Sequence, residues 1–157
     1  MMRWPFQDKA APPETFAVGR YKLDGSIEGV GGLIEFSPHE YAAIGRQFVG
    51  EKDYSALPVE FLGRQWEVMV QAVYGRICAI APYVMVANRR DANRLVTEVF
   101  RYCVDELGKP AEQQTDFCLW RTSDGTVILK TEETPDGFRI GLFLSSNATR
   151  NLQRLRC

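Results

Sequence analysis

Residues 88–110, NRRDANRLVTEVFRYCVDELGKP, decide the fold, because periodicity, start signal and stop signal agree there on one long helix. Ala92, Leu95, Val96, Val99, Phe100, Cys103 and Leu107 recur every three or four residues and so share a face, while Arg94, Thr97, Glu98, Arg101 and Asp105 fall opposite. Asn88 is placed to cap the first free N–H groups, with Asp91 three residues on in the capping-box position. Gly108 tolerates the left-handed backbone that ends a helix, and Pro110 cannot continue one. A helix with one apolar stripe has to cover something, and the blocks on either side of it read as strands.

Upstream, residues 65–74 alternate, with Trp66, Val68, Val70 and Ala72 on one side and Glu67, Met69, Gln71 and Val73 on the other. Tyr74-Gly75 makes a turn, and residues 77–86 follow, apolar on both faces, with Pro82 implying an edge position or a bulge where no ladder N–H is required. Downstream, residues 116–122, 126–131 and 138–145 are separated by Ser-Asp-Gly and Thr-Pro-Asp-Gly turns and form a meander. Phe138, Ile140, Leu142 and Leu144 point one way, as in a sheet that buries one side. The expected fold is α+β: an antiparallel sheet of about five strands, built as hairpin, long helix and three-stranded meander, with helices on one face.

The remaining chain fits around that unit. Residues 1–15 read as a flexible N-terminal tail and 16–157 as a single α+β domain. Residues 16–36 mix β-prone side chains with five glycines and a turn at Leu23-Asp24-Gly25-Ser26. Ser37, Pro38 and Glu40 open a shorter helix whose apolar face holds Tyr41, Ile44, Phe48 and Val49 and which Gly50 stops. A polar loop then leads to Leu57-Pro58, with a short strand at 59–61, and a last short helix places Ala148, Leu152 and Leu155 on one face. In this order of helix, strands, helix, strands, helix the chain resembles the small secretion chaperones of type III systems. That resemblance implies a dimeric protein that holds segments of effector proteins.

Composition narrows the chemistry. With 45% apolar and 25% charged residues the chain is globular, and a formal charge of −1 supplies no global positive field for nucleic acid. The absence of any run of eighteen apolar residues argues against a membrane span, and Cys78, Cys103, Cys118 and Cys157 lack CxxC pairing and read as reduced, so a cytoplasmic location is expected. The one histidine, His39, sits in a helix start away from any GxSxG-type nucleophile, which leaves a hydrolytic triad without a base. Asp105-Glu106 and Glu132-Glu133 are ordinary solvated acids, and one histidine with four dispersed cysteines lacks metal-ligand spacing. The GVGG stretch at 29–32 is followed by LIEF rather than by a helix, so it is no phosphate loop. No catalytic residue, metal ligand or cofactor motif is expected.

Two features invite a binding role. Arg89, Arg90 and Arg94 crowd the N-terminal end of the long helix and Asp105 and Glu106 its C-terminal end, against a macrodipole preference of about 0.3–1 kcal/mol per charge. Such a cluster suits an acidic segment of a partner. Trp4 and Phe6, two aromatics around Pro5 in a polar tail, read as a docking peptide. The expected function is a non-enzymatic cytoplasmic protein-binding module of chaperone, adaptor or inhibitor type, and a homodimer formed through a sheet edge or a helix face fits the same reading. The alternative is a small-molecule binder or enzyme with its pocket between the central helix and the sheet.

Overall fold

In the computed structural model, residues 12–44 and 50–148 are described. The long helix forms as its sequence dictates. It is α2, Arg89–Leu107, with the Asn88 side chain accepting from the Asp91 N–H at 2.9 Å and Asn88 Nδ2 donating back to Asp91 Oδ2 at 3.1 Å. Gly108, at φ 83°, ends it and donates its N–H to the Val104 carbonyl. The shorter helix, α1, Pro38–Ile44, has the expected reciprocal cap between Ser37 and Glu40. Phe48, Val49 and the trailing leucines Leu152 and Leu155 lie outside the described residues.

The sheet corrects the expectation of about five strands with helices on one face. Among the described residues it has eight strands, all antiparallel, and one long helix packs on it. The strands are β1 (Ile34–Glu35), β2 (Glu51–Phe61), β3 (Arg64–Val73), β4 (Arg76–Val86), β5 (Glu112–Gln114), β6 (Phe117–Arg121), β7 (Gly125–Thr134) and β8 (Gly137–Ser146), in the order β1-β2-β3-β4-β8-β7-β6-β5. Four strands therefore precede α2 in place of a hairpin, and four follow it in place of three. The helix carries the chain over one face so that the last strand, β8, returns to pair with β4.

The missed strands have physical reasons. β2 carries Glu51, Lys52, Asp53 and Pro58, a polar composition that reads as loop, yet it pairs with β3 from Glu51↔Val73 to Phe61↔Arg64. Glu51 and Asp53 are buried, Asp53 Oδ1 taking the Gln71 amide at 2.9 Å, and Pro58 falls where the register shifts between Ala56 and Val59. β1 and β5 have two and three residues, all exposed, edges too short to invite edge-to-edge pairing. Pro82 also departs from expectation, because β4 is a central strand. The ladder to β8 skips instead: Ile80↔Leu144 is followed by Tyr83↔Gly141, with Ala81 and Pro82 unpaired between them.

Alternation sorts the side chains as expected on β3 and β8. Trp66, Val68, Val70 and Ala72, with Phe138, Ile140, Leu142 and Leu144, are buried toward α2, whose Ala92, Leu95, Val99, Cys103 and Leu107 are buried in turn. Trp66 and Trp120 are 0% and 1% exposed, and each indole N–H is satisfied at 2.9 Å, by the Phe61 and Gly108 carbonyls. Phe100 is only half-buried, its ring 5.8 Å from that of Trp120. Cys78, Cys103 and Cys118 are free and buried, and burial pushes the Cys78 and Cys103 thiols up to about 12, far from thiolate reactivity. The N-terminal segment is pinned across the β6–β7 turn. The Pro13 carbonyl accepts from the Ser123 N–H at 3.0 Å, and Asp124 Oδ1 accepts from the Thr15 N–H at 2.9 Å and from the Thr15 and Thr122 hydroxyls at 2.8 and 3.0 Å.

Candidate functional site

The space between α2 and the sheet is occupied by Trp66, Trp120 and the aliphatic core, so the cleft of interest lies on the sheet's other face. Five strands contribute to it by their second set of alternating residues: Met69 from β3, Ala81 and Tyr83 from β4, Gly141 and Phe143 from β8, Ile128, Lys130 and Glu132 from β7, and Phe117 from β6. Register brings them together, since Met69 stands opposite Ala81, Tyr83 opposite Gly141, Gly141 opposite Lys130, and Lys130 opposite Phe117. The cleft has a volume of about 410 Å³.

Two residues open it. Pro82 has no N–H to offer β8, and the pairing between β4 and β8 is interrupted there. Gly141, one pair further on, leaves the sheet surface without a side chain between Tyr83 and Lys130. The floor is correspondingly low while Met69, Tyr83, Ile128 and Phe143 stand around it. Met69, Met85 and Phe143 are 39%, 46% and 43% exposed on this face, large apolar side chains that contribute little to the core.

A charged group borders one end. Glu132 accepts from Arg139 Nη2 at 2.7 Å and lies 3.2 Å from Lys130 Nζ, and the Arg139 guanidinium is 5.9 Å from the centre of the Tyr83 ring. Hydrogen bonds from Arg139 and then Lys130 hold the Glu132 carboxyl below the usual carboxylate range. Two cations share one anion here, leaving a modest positive excess at the rim. The cleft itself contains no nucleophile with an adjacent base, and among the described residues no group of three or more His, Cys, Asp or Glu is placed to hold a metal ion. His39 is exposed in α1.

The arginines singled out in the sequence lie at the same end of the sheet, on the helix side. Arg89, Arg90 and Arg94 are all exposed. Arg89 stacks 4.5 Å above the Phe138 ring and reaches Glu133 at 3.9 Å, so the β7–β8 hairpin supplies one counter-charge to the helix start. Among the described residues Arg90 and Arg94 make no ion pair. Trp4 and Phe6 lie outside the described residues. Among the described residues no helix is long and apolar enough to cross a membrane.

The cleft was not singled out in the sequence. Its signals were present as Pro82 and Gly141 inside apolar strands and as Met69 and Phe143 on faces that alternation leaves outward. Only the return of β8 to β4 puts them side by side. No family model, curated protein or solved structure matches this chain.

Proposed function

We propose that the chain is a non-enzymatic protein-binding module that takes an apolar segment of a partner on the open face of its sheet. The observation that carries this reading is the clustering of Met69, Tyr83, Ile128 and Phe143 around a cleft on the face that α2 does not cover. Large apolar side chains grouped on a surface gain nothing for the fold and favour association, and methionines among them adapt to varied apolar partners. The polar groups at the rim are three mutually paired charges, suited to orienting a chain and not to proton transfer. Arg89, Arg90 and Arg94, at the same end of the sheet, would take an acidic stretch flanking the apolar one. A cytoplasmic setting and chaperone, adaptor or inhibitor action belong to the same proposal.

A photo-crosslinking residue placed at Phe143 tests it, with the same residue at the exposed helix position Arg101 as the control. Crosslinks to an apolar segment of another protein from position 143, absent from 101, are the expected result. Equal capture from both positions, or none from 143, overturns the reading. The volume of about 410 Å³ is also within the range of small-molecule pockets, which favours an apolar small ligand as the second reading. Position 143 would then label a small molecule and no polypeptide.

A further inference from the structure

We infer that the segment this cleft selects carries an aromatic side chain and, two residues from it along the chain, a carboxylate, the ring lying over Gly141 and the acid meeting Lys130 and Arg139. The inference rests on the face away from α2 being a docking surface, and it states which partner chemistry that surface recognises.

The floor is the first observation. A glycine inside a strand forgoes side-chain packing and marks places where something approaches the backbone closely. At two neighbouring glycines the backbone itself makes the demand: a Cβ at Gly125 would collide with the Ser145 carbonyl, and Gly137 has φ 142°. Gly141 is under neither constraint. Its φ lies outside the left-handed region, and a Cβ there would meet the Pro82 carbonyl oxygen at 3.4 Å and Tyr83 Cβ at 3.5 Å, ordinary contact distances. The fold therefore admits a side chain at 141, and what its absence creates is the bare floor of the cleft. Met69, Tyr83, Ile128 and Phe143 around that floor suit a flat ring, which gains from sulfur and edge-to-face contacts beyond its buried area.

Charge is the second. Glu132 Oε2 accepts from Arg139 Nη2 at 2.7 Å and Glu132 Oε1 lies 3.2 Å from Lys130 Nζ, so one carboxylate answers two cations and a single positive charge is left over beside the apolar floor. Among the described residues Arg139 donates through Nη2 alone, and a guanidinium has several further N–H groups to offer. Glu67, exposed on β3 opposite Tyr83, puts a negative charge on the other side of that ring and so directs an incoming acid toward β7 and β8.

The register then sets the spacing. Lys130 stands opposite Gly141, and Arg139 precedes Gly141 by two residues on β8, one same-face step of about 6.6 Å. A partner segment extended along β8 repeats that step. With its ring over Gly141, the side chain two residues away on the same face meets Arg139. A carboxylate there sets two anions against two cations, whereas an amide leaves the excess charge unanswered.

The test titrates the 15N-labelled intact chain with acetylated, amidated pentapeptides of the pattern Ala-Phe-Ala-Asp-Ala and its reverse, each also made with Asn for Asp and with Leu for Phe. Backbone amide shifts are the readout. The better of the two directions is expected to move the signals of Lys130, Arg139, Gly141 and Phe143 and to bind roughly three- to tenfold more tightly than its Asn counterpart. That difference should shrink with added salt and vanish in a Lys130→Gln, Arg139→Gln chain. Gly141→Leu, which fills the floor, is expected to abolish binding while the α2 signals keep their positions, and Gly141→Ala to weaken it if leucine disturbs the fold. Equal affinity for the Asp and Asn peptides overturns the inference, as does equal affinity for Phe and Leu, binding indifferent to the Gly141 variants, or no binding by any peptide. The position-143 crosslinking judges the docking reading separately. Capture of a partner segment there without preference among the peptides removes the aromatic-acid pattern and leaves the docking surface. No capture, with the Phe-Asp peptide preferred, removes the partner and leaves the selectivity of the cleft.

Discussion

The two faces of β8 are made by the same ten residues under different constraints. Phe138, Ile140, Leu142, Leu144 and Ser146 point toward α2 and are all buried, whereas Arg139, Gly141, Phe143 and Ser145 point away and form part of the open cleft wall or its surroundings. On the covered side each apolar group is removed from water by α2 and by its neighbours, so its identity is explained by stability. On the open side Phe143 keeps 43% of its surface in water, and a polar residue would serve the fold as well. Apolar side chains on the first face report folding, whereas those on the second are not explained by it.

The largest effect that should follow this division is on the covered side. Leu95→Ala removes a side chain that α2 buries against the sheet and should cost about 2–5 kcal/mol, read from urea unfolding midpoints at constant slope. A loss below about 1 kcal/mol would mean that the helix does not cover this face as tightly as its burial indicates. Phe100→Ala should cost less than Leu95→Ala relative to its size, because its ring is only half-buried.

The next effect concerns the clamp that starts the chain on the sheet. Asp124→Ala leaves the Thr15 N–H and the Thr15 and Thr122 hydroxyls short of an acceptor and should cost about 1–3 kcal/mol in the same measurement. Burial pushes the Asp124 carboxyl up, but the hydrogen bonds from Thr15 and Thr122 together outweigh it and hold the group below its ordinary value. With a folded value below the unfolded one, its contribution is present in full above the ordinary carboxylate pKa of about 3.9 and disappears as pH falls through the lowered folded value. Wild type and Asp124→Ala should therefore converge in stability under acid and differ at neutral pH.

Smaller still is the effect of reversing the exposed charges at the helix start. The Arg89→Glu, Arg90→Glu double variant should stay within about 1 kcal/mol of wild type in thermal unfolding, since the pair to Glu133 is long and solvent-exposed. Its partner binding should weaken, and the unaltered protein's binding should fall with added salt. Unchanged affinity across ionic strengths would remove the arginines from the binding surface. Least affected should be the stability of Phe143→Ser, within about 0.5 kcal/mol of wild type, with loss of whatever position 143 captures. A Phe143→Ser chain destabilised as much as Leu95→Ala would break the comparison, because both faces would then be core.

Much of the covered face was legible in the linear chain. The period of α2, its Asn88 cap and Gly108 stop, the alternation of β3 and the one-sided run from Phe138 to Leu144 are each set by neighbours within a few residues, and local sterics and hydrogen bonding enforce them. β2 was not legible, because Glu51, Lys52, Asp53 and Pro58 look like loop until β3 supplies the ladder and Gln71 the partner for a buried acid. Neither was the three-residue β5, whose Glu-Gln-Gln has no apolar pattern and is a strand only because β6 pairs with it. The arginines could be read as an unusual helix start, but the Phe138 ring and the Glu133 carboxylate that meet Arg89 come from a hairpin more than forty residues away.

By itself, the sequence determined which segments are helical, which alternate, and which side chains must find a nonaqueous surface, because these follow from backbone geometry and transfer free energy acting over short distances. The tertiary structure alone decided that β8 returns to β4 and makes one eight-stranded sheet, and that among the described residues the long helix covers one of its faces. Strand order is a choice among pairings distant in the chain, and local pattern is the same for each of them. That choice set Gly141 beside the break at Pro82 and gathered Met69, Ile128 and Phe143 around it, so the cleft is a property of the pairing and is written in no one stretch of the chain.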